Sequence, residues 1–284
     1  MRRWVILLFA ALALAGCSAI PQEADPALWR VESPQGDIGW LFGTIHSSPR
    51  PLAWETPAVR TALDQAGAVI VEVGNLADEA DVAATFARLA KASGKPPLSQ
   101  RVAREDRPAL AALLDKAGYD DGDFTAMDTW AAALTLARNQ AGEDDARNGV
   151  DRAVVAQAGP RPIIELEGAT RQLSLFDTLP ESEQRDLLGA VVREAAMPDR
   201  NLSAAWRTGD MAAIEKETRK GLLADPELRE VLFTGRNRRW TARIAEAVQA
   251  GRKPFVAVGA AHMAGPDGLP AMLARRGFTV TRIE

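Results

Sequence analysis

Cysteine is almost absent from this chain of 284 residues: it occurs once, at Cys17. No disulfide can form within the chain, so stability has to come from packing. Charge of one sign is lacking too. Against 34 Lys and Arg stand 38 Asp and Glu, a net charge of −4, with no basic stripe. No nucleic-acid partner is expected. There is no G-x-S-x-G elbow, P-loop, H-E-x-x-H or dinucleotide-binding glycine fingerprint, which sets aside the chemistries those motifs carry. No solenoid-type repeat is visible. Histidine is nearly as scarce as cysteine: His46 and His262 are the only two.

What is present begins with the leader. "MRR" is a charged start, and "WVILLFAALALA" is an apolar run of signal-peptide length, short for a membrane span. Leu14, Ala15, Gly16 and Cys17 then fit the bacterial lipobox at all four positions. The expectation is a signal peptide over 1–16, cleavage before Cys17 and lipidation of that residue. Loss of Arg2 and Arg3 takes the formal charge to −6. Ser18 after the Cys favours the outer membrane, facing the periplasm. Residues 17–26 read as a lipidated Cys and a short polar tether.

The whole chain is 47% hydrophobic, and the body, 27–284, is long enough for a sizeable core. "LWRVES" (28–33) and "IGWLFGTIH" (38–46) read as two strands around a Gly36-Asp37 turn. Residues 55–66 read as a helix and "AVIVEVG" (68–74) as a buried strand, a crossover that predicts parallel pairing. From about 78 to 250 the pattern is helical, near 79–92, 104–117, 127–141, 149–158, 181–195 and 203–220. A short strand interrupts it within 159–168. A last helix runs from Asp225 and Pro226 to Gly251. A strand at 254–259, a helix at 267–276 and a strand at 278–283 close the chain. The expected fold is mixed α/β: one central sheet built from both ends of the chain, with a large helical insertion about 78–250.

Both histidines end the same pattern, G-x-x-H after an apolar strand: Gly43 to His46 and Gly259 to His262. A glycine at a strand end permits positive φ or close approach of another group. Sites in open α/β sheets gather at such ends. Glu72 places a carboxylate in the apolar run "VIVEV", where it must pair with a cation or bind a metal. Two histidines and a carboxylate suit Mn, Fe, Co or Zn. Glu165 and Glu167 fall on one face of a strand and could join them. Asp151 opens a helix, where capping is the simpler role. Arg236 and Asn237, in "GRNRRW", could donate hydrogen bonds to a substrate carbonyl.

Taken in order, "LFGTIH", "VIVEVG", "NGVDR", "PIIELEGATRQLSLFDTLP", "GRNRRW" and "FVAVGAAHMAG" resemble the TraB/GumN family, which includes the Tiki proteins. The resemblance spans roughly 27–284. It implies a fold shared with erythromycin-esterase-like and haem-binding ChaN-like proteins, and an active site of His46, His262 and Glu72. It also implies a divalent metal (Mn, Co or Zn) and hydrolysis of a peptide or protein substrate, with Glu72 either ligand or base. The Arg236-Asn237 pair matches a family motif. The alternative is a lipoprotein that binds haem, a metal or a peptide without turnover.

Overall fold

The computed structural model describes residues 20–74, 79–139, 146–197 and 202–284. The leader, Cys17 and the first residues after it lie outside the described residues. The chain enters through a short strand, β1 (Gln22–Glu23). A hairpin of β2 (Leu28–Glu32) and β3 (Ile38–Thr44) follows. Next, β4 (Leu52–Ala53) pairs in parallel with β1, and α1 (Pro57–Gln65) leads back to β5 (Ala68–Val71). Helices α2 (Glu79–Leu89), α3 (Arg107–Ala117), α4 (Thr129–Asn139) and α5 (Val150–Ala156) precede β6 (Ile163–Glu165). After it come α6 (Ala169–Asp177), α7 (Glu181–Ala195), α8 (Leu202–Arg207), α9 (Met211–Glu217) and α10 (Pro226–Arg229). A wide π-type turn (Glu230–Thr234) joins α10 to α11 (Gly235–Gln249). The chain finishes with β7 (Pro254–Gly259), α12 (Leu269–Arg275) and β8 (Thr279–Arg282).

Six strands form one mixed sheet in the order β6-β5-β7-β3-β2-β8. The expectation of a central sheet from both chain ends holds. The crossover from β3 through α1 does give parallel strands, but they are not neighbours. β7 lies between them, parallel to both, with Phe255 opposite Trp40 on one side and Val69 on the other. Periodicity marks a strand; it carries no record of which distant strand will pair beside it.

Alternation along β7 shows how the sheet is sandwiched. Phe255 and Ala257 join a core with Phe42, Val59 and Val154 under α1 and α5. Val256 and Val258 point the other way, onto Ile244 and Val248 of α11. All four residues of β5 are buried, as a strand covered on both faces requires. A separate core around Trp130 and Leu188 holds α3, α4 and α7 together. Among the described residues no helix is long and apolar enough to cross a membrane.

Three expectations change. The helix expected over 203–220 is two, because Gly209 adopts φ +61 and Asp210 caps a new start by accepting from the Ala213 amide. Helix α6 had no counterpart in the sequence reading. The segment 22–26 is not a loose tether: Gln22 and Glu23 pair with Leu52 and Ala53, Ala24 is buried, and the Asp25 amide donates to the Arg207 carbonyl.

Candidate active site

The carboxyl ends of β3, β5 and β7 lie side by side. The two G-x-x-H motifs are therefore neighbours, with Gly43 opposite Val258 and Thr44 opposite Gly259. Neither glycine has positive φ; Gly43 is required for space, whereas Gly259 lines the site. A Cβ on Gly43 would stand 2.9 Å from the Ala260 Cα. A Cβ on Gly259 would stand 3.4 Å from Glu72 Oε1, 3.8 Å from His262 Cδ2 and 3.9 Å from His46 Nε2. That point marks where the two histidines and Glu72 converge.

Glu72 is not within the strand. It is the first residue past β5, which is how a carboxylate in an apolar run escapes the sheet interior. Its Oε1 accepts from the Gly259 amide at 2.8 Å, and its Oε2 accepts from Arg236 Nη2 at 2.6 Å and Gln172 Nε2 at 3.1 Å. Burial alone would disfavour its charge, but His262, Arg236 and His46 outweigh burial and hold the carboxyl down at about 2.

The two histidines are pinned in the same manner. Nδ1 of His46 lies 2.6 Å from Oδ2 of Asp151, and Nδ1 of His262 lies 2.6 Å from Oδ1 of Asn237. The Asn237 amide is oriented by donating to the Asp267 and His262 carbonyls, so its oxygen faces the ring. Each histidine thus carries its proton on Nδ1 and leaves Nε2 with a lone pair. The surroundings of the rings differ. The His46 side chain is 69% exposed, and its bond to Asp151, helped by the charges of Asp151 and Glu72, raises its pKa above 6.5. His262 is buried between Phe233 and Trp240, and burial pushes its pKa down to about 3, so it stays neutral.

Arg236 is the resident cation. It bonds Glu72, contacts Glu167 at 3.0 Å and His262 Nε2 at 3.3 Å, and packs over Trp240 at 4.4 Å. The wide turn before α11 precedes this residue, a common placement near functional side chains.

The sequence candidates divide as follows. Asn237 is fully buried with its amide committed, so it holds His262 and does not face a substrate carbonyl. Arg236 is likewise committed to carboxylates. Asp151 does more than open α5: Gly149 stands at the cap, and the Asp151 carboxylate reaches His46. Glu165 and Glu167 do not act as one face, because β6 ends at Glu165. Glu165 is exposed and accepts from the Gly74 amide, while the side chain of Glu167 is buried against Arg236 and Trp240. Gln172 was missed because α6 was missed: that helix has no buried residue and no side-chain cap.

An implied metal can be tested against this donor set. Two imidazoles fixed through Nδ1 and one ionised carboxylate are the ligand chemistry of a divalent site, and the Nδ1 acceptors are the outer partners such ligands usually have. The donor atoms do not all lie within 4.8 Å of one another, and Arg236 bridges Glu72 and His262. Among the described residues the acidic or histidine triplet that is so close, Glu183, Asp186 and Asp225, lies in the helical layer away from the sheet ends.

The protein YbaP of Escherichia coli (strain K12) is 27% identical over 250 residues, covering 82% of this chain and 86% of that protein. YbaP of Shigella flexneri matches to the same extent. No solved structure matches. The model of the TraB/PrgY/gumN family matches residues 27–282, a span that contains every residue of the site described above, and the chain belongs to that family.

Proposed function

We propose that the protein is a lipid-anchored hydrolase of the bacterial envelope that cleaves peptide bonds with the help of a divalent ion, Mn, Co or Zn. The observation that carries this reading is the matched pinning of the two histidines, Asp151 on one Nδ1 and Asn237 on the other, close to the Glu72 carboxylate. His46 and His262 through Nε2, together with Glu72, would hold the ion, with Arg236 Nη1 giving up its contact to His262 Nε2 to admit it. When bound, it would polarise the scissile carbonyl and acidify a water.

The chain's own residues supply the rest. Asp151 and Asn237 hold the Nδ1 protons. Gly259 and Gln172 aim the Glu72 carboxylate, and Arg236 offsets its charge and that of Glu167. Glu72 would serve as a ligand, its carboxylate fixed by the Gly259 amide, Gln172 and Arg236. Val71, Val73, Ala257 and Val258 wall the cleft with apolar surface.

The test is metal content by elemental mass spectrometry of the soluble form starting after Cys17, incubated with Mn, Co or Zn. The control is the His46→Ala/His262→Ala double variant. About one ion per chain in the parent and none in the variant, with chelator-sensitive cleavage of a peptide library, supports the reading. Equal metal in both proteins, or cleavage indifferent to chelator, overturns it.

A further inference from the structure

The site and the point where the chain enters the body are at the same end of the sheet. His46, Glu72 and His262 follow the carboxyl ends of parallel strands. β2 runs antiparallel to β3, so its first residue, Leu28, is level with Phe42 near that same end. The chain before Leu28 is fastened there by backbone hydrogen bonds at three residues. The Gln22 amide donates to the Pro51 carbonyl, the Ala24 amide to the Ala53 carbonyl and the Asp25 amide to the Arg207 carbonyl. The helix ending at Arg207 is itself tied to the first histidine motif, since Trp206 Nε1 donates to the Gly43 carbonyl at 2.8 Å. The opposite end of the sheet carries the Ser33–Asp37 turn.

From Cys17 to Gln22 is five residues, at most about 18 Å of extended chain. Ile20, within that stretch, is 87% exposed, the most exposed large apolar residue described. We infer that the active-site end of the sheet faces the lipid bilayer, so that the site acts on polypeptide segments lying at the membrane surface. This rests on the lipid anchor at Cys17 proposed above. A flexible tether would let the body turn freely. A tether this short, on a docked segment, holds the cleft toward the surface that carries the lipid.

The full chain with its lipid tests this. Lipidation consumes the thiol of the single cysteine, so an introduced cysteine is the only site for a thiol-reactive fluorophore. Arg50→Cys labels the site end, in the loop between His46 and β4; Gln35→Cys labels the far turn; both positions are exposed. In zwitterionic vesicles carrying a quencher on the lipid headgroup, the label at 50 is expected to be quenched several-fold more than the label at 35. Inserting about 20 Gly/Ser residues after Ser18 should erase the difference. Equal or reversed quenching in lipidated, vesicle-bound protein overturns the inference and leaves the anchor standing. A Cys17 that still takes the label, in protein that stays off the vesicles, overturns both. Peptide cleavage by the soluble form is read separately and reports on the hydrolase reading alone.

Discussion

Nδ1 of His46 lies 2.6 Å from Oδ2 of Asp151, a residue 105 positions further along, in the first turn of α5. The contact does two things. It fixes the imidazole so that Nε2 is the open nitrogen, and it raises the proton affinity of the ring. If His46 holds the proposed ion, Asp151→Ala should lower metal affinity about 10–100-fold, the usual effect of losing such a partner. Titration calorimetry with Mn or Zn on the soluble form checks it. An unchanged affinity would show that His46 does not need Asp151 for whatever it binds.

The same pair gives a pH prediction that the scarcity of histidine makes easy to read. The metal-free protein has two imidazoles to follow by NMR. His46, raised by Asp151 and Glu72, should titrate above 6.5, and Asp151→Ala should bring its midpoint down. His262, lowered chiefly by burial to about 3, should show no titration between pH 5 and 9. The signs are opposite because one ring gains a carboxylate partner while the other loses water. Two coincident midpoints would contradict this arrangement.

Two glycine substitutions separate the site from the fold. In Gly259→Ala the new methyl meets Glu72, His262 and His46 at 3.4–3.9 Å, ordinary contact distance, so stability should change by less than about 0.5 kcal/mol. It should nevertheless remove the metal binding and activity proposed above, because the methyl occupies the point of convergence. In Gly43→Ala the methyl would lie 2.9 Å from backbone, a clash worth about 1–3 kcal/mol. At about 2–4 °C per kcal/mol for a domain of this size, thermal melts resolve the two. Equal melting losses would mean that Gly259 serves packing.

Why the site could be read from sequence and its supports could not is a matter of range. His46, Glu72, Gly259 and His262 each stand where an apolar run meets a polar residue, and that is a local signal. The order that puts β7 between β3 and β5 is not local, so the sequence predicted parallel strands without their neighbours. Gln172 sits on a helix whose Leu173, Leu175 and Phe176 are only partly buried, which blurs the apolar stripe. For Asp151 a clue existed: Gly149 already occupied the cap, leaving the carboxylate free for another use. Asn237 resembled a substrate donor because its two acceptors, the Asp267 and His262 carbonyls, come from 25 to 30 residues away.

Arg236 should be needed for folding before it is needed for activity. Its side chain is 9% exposed and faces two carboxylates, Glu72 and Glu167. Arg236→Ala strands both charges, a loss of about 3–5 kcal/mol for a broken buried pair. Arg236→Ala with Glu167→Gln removes one stranded charge and should recover part of that loss. Urea denaturation of the parent, the two single variants and the double variant closes the cycle. Additive losses would mean that Arg236 and Glu167 do not share their charge.

A second ionic cluster binds the helical layer and should respond to pH in a defined direction. Lys95 Nζ lies 2.8 Å from Asp128 and 2.9 Å from Glu181, and Glu181 also accepts from Thr129. Burial works against the charge of Glu181, but its bonds to Lys95 and Thr129 win and lower its pKa below 4.5. Its contribution is complete above the unfolded value and is lost as pH falls through the lower folded value. The group is more than a third exposed, so solvent screening limits the contribution to about 1 kcal/mol or less. Glu181→Gln should thus melt a few degrees lower than the parent near pH 7, with the gap constant down to about pH 5 and closing toward pH 3. A gap that widens in acid would mean that Glu181 is held protonated in the fold, the reverse of what its partners dictate.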